Sequence, residues 1–191
     1  MLVTIIVVAV LGLLLLMAVG GYNRLVGLNQ AANQAFADID VQLKQRQDLI
    51  PNLVETVKGY ASHEKETLEN VVAARNAAAA ASTVDQKVQA EGMLTGALRQ
   101  LFAVAEAYPD LKANQNFLSL QAELSDIENK LAAARRFFNN AISEFNAARA
   151  QFPTVLFAGM FGFAKDRPFF DIGEGDRASM TAAPPQVKFG T

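Results

Sequence analysis

The first 23 residues of the chain contain no charged side chain, and this run constrains the molecule more than any other feature. Within it, residues 2–20 carry Thr4 as the only polar side chain. As an α-helix these residues would be about 28 Å long, close to the roughly 30 Å hydrocarbon core of a bilayer. We therefore predict a transmembrane anchor over residues 1–21. Its apolar side chains include Leu2, Ile5, Val8, Leu11, Leu14, Leu16 and Val19.

A cleaved signal peptide is the alternative interpretation of this run. Such a peptide has basic residues before a shorter apolar core and an A-x-A-like cleavage site after it. No Lys or Arg precedes the run, and residues 17–21 read MAVGG, so the uncleaved anchor is favoured. The first charged side chain, Arg24, follows the span, and the positive-inside rule therefore predicts a cytoplasmic body. Membrane lipid is accordingly a predicted partner.

The composition excludes several classes of chemistry. The chain has no Cys, so a disulfide framework, a thiolate metal site and a cysteine nucleophile are ruled out. A Ser–His–Asp triad or a multi-histidine metal site would depend on His63 alone. The 17 basic and 19 acidic residues give a net charge of −2, which offers no electrostatic footprint for nucleic acid. We predict no catalytic, cofactor or metal site and no nucleic-acid partner.

Residues 22–152 are predicted to form one bundle of long helices. Apolar side chains recur at steps of three and four from Tyr22 to about Ser82, which is typical of a helix with one buried face. Pro51 lies where this stripe slips by one residue. It either kinks one long helix or separates two packed helices, and the absence of neighbouring glycines favours the kink. Ser82, Thr83 and Asp85 then supply capping oxygens for a second helix that extends to about Ala107.

The last long helix has the most regular pattern and ends at Pro153. Its apolar stripe continues over five heptads without a miss, the pattern of a supercoiled helix seam. The large seam residues are Phe117, Leu120, Leu124, Ile127, Leu131, Phe138, Phe145 and Phe152.

The polar clusters of the body favour structural roles. Asp38 and Asp40 are two residues apart, so on a helix they point to different faces and cannot share a proton, and Asp40 is expected to pair with Lys44. Arg46 falls on the apolar stripe, where it must pair or snorkel and could set the register between helices.

Other candidate groups give weaker signals. His63 and Glu66 are read as a solvated helix face rather than a ligand pair, and Arg135 with Arg136 as a solvated basic step. The pair Gly173 and Gly175 does not lie between a strand and a helix, so a phosphate-binding loop is not supported.

Residues 153–191 form an arm of different composition, with an apolar segment at 155–163 and Gly and Pro beyond it. The apolar segment is too short to span a bilayer. It can pack on the bundle, lie at the bilayer surface or contact another subunit. Our hypothesis is self-association through Phe157, Met160, Phe161 and Phe163.

Several stretches of this chain resemble the LemA family of membrane-anchored bacterial proteins. The resemblance covers nearly the whole chain and implies an N-terminal membrane helix, an antiparallel bundle, a body on the inner side of the cell membrane and no established enzymatic activity. The matching stretches are YNRLV at 22–26, IDVQLK at 39–44, RQDLIPNLV at 46–54, YPDLKA at 108–113 and PQVKF at 185–189.

Together these observations predict an all-α protein: one transmembrane helix, an up-and-down bundle of long helices and an irregular C-terminal arm. The predicted function is that of a non-enzymatic scaffold that self-assembles at the bacterial inner membrane as a homo-oligomer. The alternative is an adaptor or regulator of another membrane protein, such as an envelope protease or a sensor.

Overall fold

A computed structural model describes residues 1–170 of the chain. Gly173, Gly175 and the stretch 185–189 lie outside the described residues. Within residues 1–170 there is no strand, and the all-α prediction is confirmed. The helices are α1 (Leu2–Lys58), α2 (Lys65–Ala80), α3 (Val84–Glu106), α4 (Pro109–Lys112) and α5 (Gln115–Ala150), followed by a 3-10 turn at Thr154–Leu156.

Helix α1 continues from the apolar N-terminal run into the bundle without a break. Its 57 residues correspond to a length of about 85 Å at 1.5 Å per residue. The side chains of the first 17 residues are exposed, and the first buried residue of α1 is Leu25. The apolar part is long and hydrophobic enough to cross a membrane, a test that an N-terminal signal sequence also passes.

Helix α1 passes through Pro51, so this residue does not separate two packed helices, and α1 ends at Lys58 instead of continuing to Ser82. Residues 59–64 reverse the chain, and α2 returns along the end of α1. The reversal lets the apolar stripe on both sides of it form one core: Val57, Leu68 and Val71 belong to the same buried cluster.

The starts of α3 and α5 follow from their capping residues. Thr83 is the N-cap of α3, and it forms a capping box with Gln86, which agrees with the turn predicted at 82–85. Asn114 caps α5 by accepting a hydrogen bond from the Phe117 backbone N–H at 3.0 Å.

Helix α5 packs antiparallel along α1. Its first part shares a core with residues 50–57, its middle with Ile39 and Leu43, and its last turns with Leu25. Six of the predicted seam residues are buried, and Leu120 is partly buried. Phe152 is the exception: it is 78% exposed, because α5 ends at Ala150 and the stripe ends with Ala148. The buried seam residues are Phe117, Leu124, Ile127, Leu131, Phe138 and Phe145.

The arm folds back on the part of the α1–α5 pair that is nearer to the apolar N-terminal run. Thr154 lies next to Gly21, with its Oγ1 atom 3.4 Å from where a Cβ at that glycine would be. Residues 164–170 then extend along α5 and end with Phe170 buried beside Phe138 in the middle cluster.

Candidate functional site

The apolar stripe of α1 contains one buried guanidinium group, that of Arg46. Only 4% of Arg46 is exposed, in line with its predicted place on the stripe. It lies where α1, α3 and α5 meet, since its partners come from the two other helices. A buried charge of this kind is stable only when it is paired and hydrogen-bonded.

Arg46 has three partners. Its Nη1 atom lies 3.0 Å from Oε2 of Glu91 and 3.4 Å from Oε2 of Glu128, while Nη2 donates to Oγ1 of Thr95 at 3.0 Å. Glu91 is buried like Arg46, whereas the Glu128 side chain is 46% exposed. One guanidinium group therefore joins α1 to α3 twice and to α5 once.

Burial raises the pKa of Glu91 above its ordinary value of 4.5. The positive charges of Arg46 and Arg135 and a hydrogen bond from Gln47 act in the opposite direction, without cancelling the effect of desolvation. Arg135 also lies over the ring of Phe170, 5.2 Å from its centroid.

A second ion pair lies about two helical turns before Arg46 along α1, and here α1 supplies the anion and α3 the cation. Asp40 of α1 pairs with Lys87 of α3, and the Lys87 ammonium lies 4.7 Å from the centroid of the Phe36 ring. The expected Asp40–Lys44 pair is therefore wrong: Lys44 pairs with Asp48. Along α1 the anion Asp40 comes before the cation Arg46, and along α3 the cation Lys87 comes before the anion Glu91. A slip of α3 by one helical turn would therefore bring Glu91 towards Asp40, an unfavourable contact between two carboxylates. The two pairs thus define the register of α3 on α1.

A cleft of about 360 Å³ lies beside this cluster, between α3 and α5. Arg46, Thr95, Arg99, Ser125 and Glu128 contribute its polar wall. The Thr95 hydroxyl accepts from Arg46 and has no histidine near it, because His63 is exposed in the turn between α1 and α2. The arrangement can hold charges and set helix register.

The remaining predicted sites are dispersed. His63 lies in a turn and not on a helix face, while Arg136 is exposed. Among residues 1–170, no group of three or more His, Cys, Asp or Glu side chains is placed to hold a metal ion. The anchor residues Leu2, Ile5, Val8, Leu11, Leu14, Leu16 and Val19 are all exposed on α1.

The four arm residues differ in their surroundings. Phe161 packs edge-on against Tyr22 at 5.0 Å between ring centroids, and Phe163 packs against Phe145 at 5.6 Å. Phe157 lies 6.4 Å from Phe161, whereas Met160 is 83% exposed. Part of this apolar surface is therefore covered by the chain itself.

The sequence interpretation missed Glu91 and Thr95 as partners of Arg46. A signal for Glu91 is present, because it falls three residues before Leu94 on the stripe that continues through Leu98 and Leu101. A carboxylate on one apolar stripe and a guanidinium on another are complementary. The spacing of apolar residues along each helix does not predict that the stripes of α1 and α3 face each other.

The comparisons with known proteins agree with the family resemblance. The sequence model of the LemA family matches residues 35–189. The chain is 23% identical to the magnetosome protein MamQ of Magnetospirillum gryphiswaldense, over 87% of this chain and 70% of that protein. It is 23% identical to MamQ 2 of Paramagnetospirillum magneticum, over 84% and 68%, and 28% identical to protein LemA of Metamycoplasma hominis, over 72% and 63%.

Proposed function

This chain belongs to the LemA family, and we propose that it is a non-enzymatic scaffold protein, anchored in the bacterial inner membrane with a cytoplasmic body, that assembles into homo-oligomers. The observation that carries the proposal is the continuity of α1. The segment able to cross a bilayer and the helix that organises the bundle are one element of 57 residues. A rigid connection of this kind fixes the distance and the angle between the body and the segment able to cross the bilayer.

The buried polar groups support a structural role. Arg46, Glu91 and Thr95 are engaged with one another across helices, so they stabilise one packing arrangement of the bundle. Specifying the register between helices is the best-attested use of buried polar groups in such positions. The similarity to proteins named as magnetosome proteins and as LemA adds no enzymatic activity to this interpretation.

Anchorage in a membrane favours self-assembly. Copies held in one membrane share an orientation and a height, which raises their effective concentration for lateral contacts. Side chains such as Val41 and Phe137 are exposed on the body, at 52% and 57%, and offer apolar area for weak contacts of this type. Many parallel contacts together can hold an oligomer that one contact cannot.

The alternative function is that of an adaptor for another membrane protein, and one surface favours it. A groove of about 700 Å³ lies between the end of α1 and α2, at the end of the bundle remote from the N-terminus. Val54, Leu68 and Val72 give it an apolar floor, and Lys58, Lys65, Glu55 and Glu69 surround them. An amphipathic helix of a partner has the matching character.

The mass of the full-length chain, extracted in mild detergent and measured by light scattering, tests the proposal. We expect several copies per particle without any added partner. A particle with a single copy would contradict self-assembly and favour the adaptor.

Val72→Glu tests whether the groove takes part in self-assembly, since it places a charge in the groove. If the chain assembles through other surfaces, the variant and the wild type have the same mass. The matched control is Leu118→Glu on α5, because the two side chains have similar exposure, 42% and 43%. A loss of assembly in Val72→Glu alone would make the groove the self-association surface and reject it as an adaptor site.

A further inference from the structure

The segment that follows α5 forms an apolar surface beside the last turn of the membrane-spanning part of α1. We call residues 152–161 the foot. Residues 150–164 contain no charged side chain, while Arg149 and Lys165 flank them. The foot thus has the composition of a membrane surface element with cations at its borders.

The position of the foot relative to α1 is given by three residues. Thr154 lies against Gly21, and the ring of Phe161 packs on Tyr22. Within residues 1–21, Ala18 and Gly21 are the two that are partly covered; the others are exposed. The apolar run ends at residue 20, so the foot is level with the boundary between the run and the first charged residue.

Four large side chains of the foot are left uncovered by the rest of the described chain. Exposed surface of this kind, grouped in ten residues, is unfavourable in water and marks a contact site. The exposed fractions are 78% for Phe152, 48% for Val155, 59% for Leu156 and 83% for Met160.

The backbone of the foot is suited to an apolar environment. In a membrane, peptide groups must find hydrogen-bond partners within the protein. The backbone N–H groups of residues 155–158 and 160–163 all donate to carbonyl oxygens between residues 151 and 159. The segment is therefore an internally bonded turn that does not require water to satisfy these groups.

We propose that the foot inserts into the interfacial layer of the same bilayer that α1 spans, with Phe152, Leu156 and Met160 among the lipid tails and Tyr22 at the headgroup level. The occupant of this surface is lipid, because the surface continues the apolar surface of α1 at the level where that surface ends. A second contact with the membrane would restrict the tilt of the rod. This inference rests on the membrane anchorage proposed above.

Single cysteine variants test the proposal, since the natural chain contains no Cys. The full-length variant Met160→Cys carries an environment-sensitive fluorophore in nanodiscs of phosphatidylcholine. Met93→Cys is the matched aqueous control, because Met93 of α3 is also an exposed methionine, at 60%. Leu11→Cys reports the anchor. Met160 is exposed, so its replacement removes little packing, and circular dichroism checks the helix content of each variant.

We expect spin-labelled lipids to quench the probes at 160 and 11 several-fold more than the probe at 93, and aqueous iodide to show the reverse order. Iodide quenching at 160 equal to that at 93, with 11 protected, would overturn the foot and leave the anchorage intact. A water-accessible probe at 11 would overturn both. Protection at 160 from iodide and from spin-labelled lipid alike would identify a contact between subunits and reject the lipid assignment.

Discussion

The Nε atom of Arg75 on α2 lies 3.4 Å from the backbone carbonyl oxygen of Gln47 on α1, in hydrogen-bonding geometry. In a regular α-helix this carbonyl accepts the backbone N–H of residue 51, and residue 51 is a proline that has none. A side chain from a neighbouring helix thus supplies the donor that the helix itself lacks. This contact offsets part of the cost of carrying α1 through Pro51.

Arg75→Ala is expected to lower the stability of the chain by about 1 kcal/mol, because the Gln47 carbonyl loses its donor. In a Pro51→Ala background the same change should cost less, since an alanine at this position provides the backbone N–H that proline lacks. Denaturant unfolding of the four chains in mild detergent measures the coupling. The matched control is Arg99→Ala on the exposed face of α3. Equal costs in both backgrounds would separate Arg75 from the proline.

Arg46→Ala leaves the buried carboxylate of Glu91 without its ion-pair partner. Such a change costs about 3–5 kcal/mol in buried pairs. The control, Lys130→Ala, breaks a surface pair with Asp126 in which both side chains are more than half exposed, and it should cost about 0–1 kcal/mol. Replacing both buried partners, Arg46→Met with Glu91→Leu, should recover much of the loss in thermal unfolding. If Arg46→Ala and Lys130→Ala cost the same, the buried ion pair contributes no more to stability than a surface pair.

The raised pKa of Glu91 predicts a pH dependence with a definite sign. The folded chain holds this proton at higher pH than the unfolded chain, so the contribution of Glu91 to stability is complete below the ordinary value of 4.5 and is lost as pH rises through the folded pKa. Glu91→Gln cannot titrate. The free energy of unfolding of the wild type minus that of Glu91→Gln should therefore be larger at about pH 4 than at about pH 8. A difference that increases with pH would reverse the assigned direction.

Leu131→Asp should abolish cooperative melting, because it places a charge without a partner at a fully buried position of the seam. Leu118→Asp on the same helix is the control, as Leu118 is 43% exposed. Thermal unfolding followed by circular dichroism compares the two. An unchanged melting temperature for Leu131→Asp would place the seam outside the core.

Two asparagines of α5, seven residues apart, hold the extended part of the arm. Asn139 exchanges two hydrogen bonds with the backbone of Phe170, at 3.0 and 2.8 Å, and Asn146 exchanges two with the backbone of Arg167, at 3.1 and 2.9 Å. Asn139→Ala with Asn146→Ala should release this part, so that trypsin cleaves faster after Lys165. The control is Asn140→Ala, an exposed neighbour. Equal cleavage rates in all variants would show that other contacts hold the arm.

Most of the helical architecture could be predicted from the order of residues. The heptad stripe of α5 predicted the burial of Leu131 and Phe138, and the stripe of α1 placed Arg46 on the apolar face, because periodicity reports which face of a helix is apolar. The capping oxygen of Thr83 located the start of α3. The anchor residues remain a prediction from length and composition.

The positions that sequence reasoning missed depend on contacts between segments distant along the chain. The apolar stripe of α1 continues past Lys58 into α2, so its period does not predict the reversal at residues 59–64. The chain reverses there because α2 packs on the end of α1 in one shared core. Glu91 is separated from Arg46 by 45 residues, and Arg75 from Gln47 by 28. Periodicity describes the faces of one helix, whereas the choice of partner for each face is made by the packing of all the helices together. For this reason the stripes could be predicted and their pairing could not.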